Sequence, residues 1–334
     1  MKKCHYIYIL LFILWNSSFA QKLSDRVLEW PSAPQKARIQ FLYSIAGKED
    51  FGIKKSWWQK VTDFIFGEEK ENSAMRHPQA IAVDKEGILY VTDTEKKLIH
   101  VINVTQKEYY EISGPKEYPL ISPVGIAIAN DLIYVSDSER KSIFVFDLKG
   151  TLKTRLSIKL NRPCGLCIKN GLLYIVDTGE NQIVVADLDG KEIRRFGERG
   201  IDKVKFNYPL YITTNSQISK TSLFVVDALN FRVQTLNTNG TFISAFGKLG
   251  DGIGNFARPK GIALDSDDNM YVVDALFDVV QIFNTQGQIL MAFGGSGSQF
   301  GKFCLPSCIV IDERNKIYVV DSGNKRVQVF QYLQ

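Results

Sequence analysis

Gly261-Ile262-Ala263-Leu264-Asp265, then Met270-Tyr271-Val272-Val273-Asp274, then Val279-Val280-Gln281-Ile282-Phe283, then Ile289-Leu290-Met291-Ala292-Phe293-Gly294 is the stretch on which the fold turns. Four short apolar runs rich in β-branched and aromatic residues are separated by turn-forming segments, Asp265 to Asn269 and Asn284-Thr285-Gln286-Gly287. Runs of this length bounded by Gly, Asn and Asp predict an antiparallel four-stranded meander. One such sheet cannot bury both of its faces alone.

Outward from that stretch, the same pattern recurs six times. A proline opens each copy, at Pro78, Pro123, Pro163, Pro209, Pro259 and Pro306, and an aspartate ends each second strand, at Asp93, Asp137, Asp177, Asp227, Asp274 and Asp321. The aspartates are spaced by 44, 40, 50, 47 and 47 residues, a period expected of propeller blades. Six sheets arranged radially bury one another's faces, so the pattern predicts an all-β, six-bladed propeller. The sixth copy runs out after its third strand, Arg326 to Phe330, while Ala37 to Ile45 ahead of the first copy reads as an orphan strand. The N-terminal strand is therefore expected to complete the last blade and close the ring.

These repeats resemble the NHL-repeat β-propeller family. The resemblance rests on Arg258-Pro259-Lys260-Gly261-Ile262-Ala263-Leu264-Asp265, on Ile317 through Asp321 continuing to Phe330, and on Phe-Gly pairs beginning at Phe196, Phe246 and Phe293. It covers residues 37–334 apart from an inserted segment, 47–76. It implies a platform that binds protein, RNA or a small ligand, and only occasionally an enzyme.

The composition is that of an ordinary globular chain: 334 residues, 45% hydrophobic and 23% charged. A net charge of +5 is too small for a general nucleic-acid binder. Lys2 and Lys3, the apolar run Tyr6 to Trp15, and Ser18-Phe19-Ala20 read as a signal peptide, residues 1–20, cut after Ala20. Cys4 precedes the apolar core, where a lipid-acceptor cysteine would follow it. Removing those residues takes away two lysines, leaving 39 basic against 36 acidic groups. The expected product is exported to a periplasm or the extracellular medium, with an N-terminal extension, 21–36, and the propeller, 37–334.

The inserted segment contains Ser56 to Gly67, which reads as a short helix with Trp57, Val61, Phe64 and Ile65 on one face and Trp58 beside it. It could cap the propeller, dock a partner or lie on a membrane surface, although dense Lys/Arg on its polar face is lacking for the last. Because it joins a fourth strand to a first strand, it must emerge on the face carrying the loops between second and third strands. That face has an apolar anomaly. Four of these loops are polar, but those of blades 4 and 5 read Ala228-Leu229-Asn230-Phe231 and Ala275-Leu276-Phe277-Asp278. Leu229, Phe231, Leu276 and Phe277, with Tyr208 and Tyr211 nearby and Trp57 and Trp58 on the insertion, are the candidate binding residues; exposed apolar groups in contact mark interaction sites.

Catalytic chemistry is harder to place. A zinc lyase of the amidating type needs several histidines at the channel, whereas only His77 and His100 remain after export, and His100 falls on a third strand. A metal-dependent hydrolase or lactonase would need acidic or amide ligands at the channel mouth. The first-strand positions there are Gln79, Val124, Cys164, Leu210, Lys260 and Ser307, then Ala80, Gly125, Gly165, Tyr211, Gly261 and Cys308, and none is a carboxylate. No metal, cofactor or catalytic residue is assigned.

The repeated aspartates are expected to accept backbone N–H bonds in the loops that follow them. Asp265-Ser266-Asp267-Asp268-Asn269 lacks the later Gly and Glu of a calcium loop and reads as a hairpin turn. Gly250 to Gly254 lacks the Lys-Ser/Thr of a phosphate loop and reads as a blade connection. Cys164 and Cys167 have redox-motif spacing but lie on an inner strand, and the cysteines read first as small buried thiols, with a local Cys304–Cys308 disulfide as the alternative in an exported chain. Arg76, Arg162, Lys205, Arg258 and Lys260 fall in connections on the same face and imply a modest preference for anions. The reading is an exported, non-catalytic binding or assembly module for another envelope or extracellular protein, or for a small ligand; the alternative is the metal-dependent hydrolase.

Overall fold

The second strands dictate the architecture. Leu89–Asp93, Leu132–Asp137, Leu172–Asp177, Ser222–Asp227, Met270–Asp274 and Lys316–Asp321 are buried almost end to end, on both faces. A strand buried on both sides loses the apolar-polar alternation of a half-exposed one, which is why Tyr-Val-Val-Asp is uniformly apolar up to its aspartate. The computed structural model describes residues 27–51, 74–215 and 222–333. Six antiparallel sheets are present, five of four strands and one of five.

Blade 5, for example, runs Pro259–Leu264, Met270–Asp274, Val279–Phe283 and Ile289–Gly294, in that order from channel to rim. The first strand of every blade lies beside the first strands of both neighbours, and blade 6 returns to blade 1, so the ring is closed around a central channel. The hydrophobic core is correspondingly divided into wedges between blades. In one, Tyr174, Val176, Ile183 and Val185 of blade 3 meet Ile212, Leu223, Val225 and Leu236 of blade 4 around Phe206. Full burial of a ring such as Phe206 contributes roughly 1.5–3 kcal/mol.

Ring closure follows the expected route. Ile39–Ile45 pairs antiparallel with Arg326–Tyr332, from Ile39 opposite Tyr332 to Ile45 opposite Val327. The blade gains one more strand that the sequence did not announce: Glu29–Trp30, from the segment read as an extension, pairs outside Ile39 and Gln40. The Trp30 ring lies 5.8 Å from Phe330 and 5.9 Å from Phe293, so this short strand is held by aromatic packing as well as by its ladder.

The Phe-Gly pairs have a mechanical role. Gly247 adopts φ +93°, and a Cβ there would fall 2.4 Å from the ring of Phe256, nine residues on. Phe206, Phe256 and Phe303 are each fully buried, and each is joined by an isolated parallel bridge to its own loop, at Arg199, Leu249 and Ser296. These rings pin the connections into blades 4, 5 and 6. Gly250 to Gly254 belongs to the middle one, where the Gly254 N–H donates to Gln281 Oε1 at 2.7 Å. The expected signal peptide, 1–20, and the helix expected over 56–67 lie outside the described residues.

Candidate binding face

The six aspartates organise the face that carries the second-to-third-strand loops and the connections between blades. All six are fully buried. Each accepts N–H groups from the residues just ahead of its own blade's proline: Arg76 and His77 on Asp93, Ile121 and Ser122 on Asp137, Asn161 and Arg162 on Asp177, Asn207 on Asp227, Ala257 and Arg258 on Asp274, and Cys304 on Asp321. The following loop is also bonded where expected, as at Lys96, Arg140 and Leu276. The role is thus wider than the sequence indicated: all six carboxylates hold an incoming connection, and those of Asp93, Asp137, Asp227, Asp274 and Asp321 tie it to the outgoing loop as well. In blade 1 the fully buried His100 replaces the glutamine found at Gln234, Gln281 and Gln328, with Nε2 3.2 Å from Asp93 and Nδ1 2.6 Å from the Tyr109 hydroxyl. Burial pushes the Asp93 carboxyl upward, but hydrogen bonds from His100, Lys96, Arg76 and His77 outweigh it and hold the group well below the usual carboxylate range.

The apolar loops divide. Leu229 and Leu276 project to solvent, 53% and 59% exposed. Phe231 and Phe277 are half-buried, and Phe231 turns inward onto the core between blades 4 and 5. Other exposed apolar residues share the face and escaped the sequence reading: Ile201, Leu249, Ile253, Phe300 and Leu305, all in connections into blades 4, 5 and 6. The available clue was an Ile, Leu or Phe placed within the glycine-rich turn after each Phe-Gly pair. Trp57 and Trp58 lie outside the described residues.

The two tyrosines serve the channel instead of the rim. Tyr208 sits under the Arg162 guanidinium, 5.5 Å from ring to Cζ. Tyr211 reaches from blade 4 across the ring to blade 1, where its hydroxyl donates to the Gln79 carbonyl at 3.0 Å. Ser307 Oγ donates to the same carbonyl at 2.7 Å. Around them the inner strands press together: a Cβ on Gly125 would fall 2.1 Å from the Cys164 carbonyl oxygen. Tyr211 and this tight ring separate the mouth from a cavity of about 570 Å³ that runs to the turns at the opposite end, beside Asp265, Asp312 and Glu313.

Asp265 and Asp312 are committed to those turns. Asp265 accepts the N–H groups of Asp267 and Asn269 and the Tyr271 hydroxyl, and Asp312 those of Arg314 and Lys316 and the Tyr318 hydroxyl. The stretch resembling a calcium loop is a hairpin turn. Among the described residues no three His, Cys, Asp or Glu side chains converge as a metal set. His77, at the mouth, is exposed and 3.0 Å from Thr94 Oγ1.

The four described cysteines are free thiols, which corrects the candidate Cys304–Cys308 bridge. Cys308 is buried at the channel beside Tyr211 and Lys260, whereas Cys304 packs against the Gly323 turn outside it. Burial pushes both Cys167 and Cys308 up to about 11, and raises Cys164 as well. Lys260 moves the other way: burial and the neighbouring Arg258 guanidinium bring it down to about 8. The mouth therefore combines cations with neutral thiols and a neutral phenol.

Radial four-stranded sheets, a channel lined by first strands and a last blade completed from the N-terminus define a closed six-bladed β-propeller. The NHL repeat family matches residues 120–146 and 303–330, in blades 2 and 6. Blades 2 and 6 thus carry NHL repeats, and the other four blades share their opening proline and terminal aspartate. Among solved structures the chain is similar to a protein of unknown function from Bacteroides thetaiotaomicron, with a TM-score of 0.63, 15% identity, and coverage of 78% of this chain and 70% of that one. It is also similar to virginiamycin B lyase from Staphylococcus aureus, with a TM-score of 0.55, 17% identity, and coverage of 77% and 95%. Hydrazine synthase from Kuenenia stuttgartiensis matches with a TM-score of 0.54, 13% identity, and coverage of 79% and 97%. At these identities the likeness is one of fold.

Proposed function

We propose that this propeller is an exported, non-catalytic binding module that engages a protein or small ligand through the face bearing the blade connections. The observation that carries the reading is the set of exposed apolar side chains, Leu229, Leu276, Ile253, Ile201 and Phe300, contributed by blades 4 to 6 to one clamped surface. Water-exposed apolar groups on rigid loops lose little conformational freedom on binding and gain from desolvation. The competing hydrolase would need anionic metal ligands at the mouth, where Lys260, Arg258 and Arg162 stand instead. Export rests on residues 1–20 of the sequence, and N-terminal sequencing of the secreted form tests it: a mature protein that begins at Gln21 is expected.

The binding reading is tested by affinity capture from the envelope fraction of the producing cells, comparing the native protein with Leu229→Asp/Leu276→Asp. Loss of specific partners in the double variant, with an unchanged melting temperature, is the expected result. An identical partner set would refute the role of this surface.

A further inference from the structure

The six inner strands line the channel in layers that repeat with the sequence. Counted with each opening proline as the first residue, the third layer is pinched shut. A Cβ on Gly165 would fall 2.6 Å from the Leu210 carbonyl oxygen and one on Gly261 2.7 Å from Cys308 Cα, while Tyr211 crosses to the Gln79 carbonyl. The fourth layer is isoleucine or leucine in every blade and is buried between blades. The fifth is small, alanine in blades 1, 2 and 5, with Cys167, Thr213 and Val310 in the others. Those short side chains leave room for the cavity of about 570 Å³ on the far side of Tyr211. The sixth layer, Val83, Ile128, Ile168, Thr214, Leu264 and Ile311, forms a collar around the same cavity, and every member is half-buried. Five of the six are apolar, in a channel wall where polar side chains would be well solvated.

A concave, largely apolar wall of this volume is what small-molecule sites provide, and filling the collar would withdraw its side chains from water. Each first strand is the terminal member of its sheet, so its inner edge turns backbone N–H and C=O groups toward the channel. These supply the few polar contacts that orient a guest. Charge sets the chemistry. Among the described residues, the ionisable acids and bases that line the cavity all stand at its open end: Lys169 against Asp265, Asp312 and Glu313. An anion would meet an excess of carboxylates at the entrance, and a charge carried deeper would lose its hydration without gaining a partner. We propose that this blind channel is a second binding site, for one compact, uncharged apolar molecule that enters from the turn end and lodges inside the collar. It lies at the opposite end of the channel from the connection-bearing face and does not depend on what that face binds.

The test is fluorescence titration of the full chain at neutral pH with two dyes of the same body. N-phenyl-1-naphthylamine is uncharged, and 1-anilinonaphthalene-8-sulfonate adds an anionic group. The neutral dye should bind saturably, one per chain, and at least about tenfold more tightly than the sulfonate. Leu264→Asp, which charges the collar from blade 5, and Ile128→Trp, which fills it from blade 2, should each weaken the neutral dye at least about tenfold, with Leu264→Val close to native as the folding control. Leu229→Asp/Leu276→Asp should bind it as the native protein does, so failure of the outer apolar surface and failure of the channel site are read independently. Methyl NMR of the native chain locates the dye without any substitution: the δ1 methyls of Ile128, Ile168 and Ile311 should shift on its addition. The proposal is overturned if the neutral dye shows no saturable binding up to about 10 μM, or if the sulfonate binds as tightly. It also falls if these three methyls stay unmoved, or if binding is lost in Leu229→Asp/Leu276→Asp and kept in the collar variants.

Discussion

Removing the Asp321 carboxylate should be among the most damaging single changes in this molecule, and the size of the effect follows from its partners. Asp321 is fully buried and accepts the Cys304 N–H at 2.7 Å, Asn324 Nδ2 at 2.8 Å, Arg326 Nε at 2.7 Å and Gln328 Nε2 at 3.0 Å. In Asp321→Ala the Arg326 guanidinium, only 8% exposed, keeps its bonds to the Gln299 and Lys302 carbonyls but loses its counter-charge. Breaking a buried pair in this way costs about 3–5 kcal/mol. Asp137, which accepts the N–H groups of Ile121, Ser122 and Arg140, should cost about 1–3 kcal/mol when replaced by Ala. In a domain of this length each kcal/mol moves the melting temperature by about 2–4 °C, so Asp321→Ala should fall by roughly 6–20 °C. Urea and thermal unfolding at neutral pH, followed by tryptophan fluorescence, measure both. Asp321→Leu/Arg326→Met, which deletes both charges, should recover part of the loss. The reasoning fails if Asp321→Ala lies within about 1 kcal/mol of the native protein, or if the double variant is no better than the single.

Three further outcomes are expected. With Cys167 and Cys308 pushed up to about 11, only about one thiol in ten thousand is ionised at pH 7, so in the native protein a disulfide reagent should modify Cys304 first and the rest on unfolding; a non-reducing peptide map that finds Cys304 joined to Cys308 would refute this. Gly247→Ala places a methyl within 2.5 Å of the Phe256 ring at φ +93°, and should destabilise by about 2–5 kcal/mol, whereas Gly87→Ala, at φ +82° with nothing within 4 Å of its Cβ, should cost about 1–2 kcal/mol. The Asp93 carboxyl titrates lower in the folded chain than in the unfolded one, so its stabilisation is complete above about pH 4 and drains away as pH falls through the folded value. The stability gap between native protein and Asp93→Asn, from urea titrations at stepped pH, should therefore narrow below about pH 4; a constant gap would sink the assignment.

Blade count, strand boundaries in blade 5 and closure by the N-terminal strand could all be read in advance, because each rests on a repeated pattern: buried second strands, terminal aspartates and a missing fourth strand. Glu29–Trp30 could not. It is two residues long, is followed by Pro31 and Pro34, and packs its Trp30 ring on Phe293 and Phe330 far along the chain. The partition of the apolar loops was equally hidden. Leu229 and Phe231 look equivalent as letters, but the fourth residue after each second-strand aspartate takes positive φ, at Lys97, Lys141, Asn181, Phe231, Asp278 and Lys325. In blade 4 that backbone turn accompanies a Phe231 ring held on the inter-blade core while Leu229 stays outside. The mouth cations were visible as residues. The burial that lowers Lys260 was not, since it depends on how the neighbouring blades pack around that strand.

Closure from the front of the chain also has a consequence for how the molecule is made. Ile39–Ile45 is synthesised some 280 residues before Arg326–Tyr332, the strand it pairs with. Throughout translation its apolar side chains, Ile39 and Ile45 among them, wait without their native ladder partner. An unpaired, apolar edge held open that long invites pairing with a neighbouring nascent chain. Domain-swapped dimers, in which one copy's front strand completes another copy's last blade, are the characteristic misassembly this architecture has to avoid.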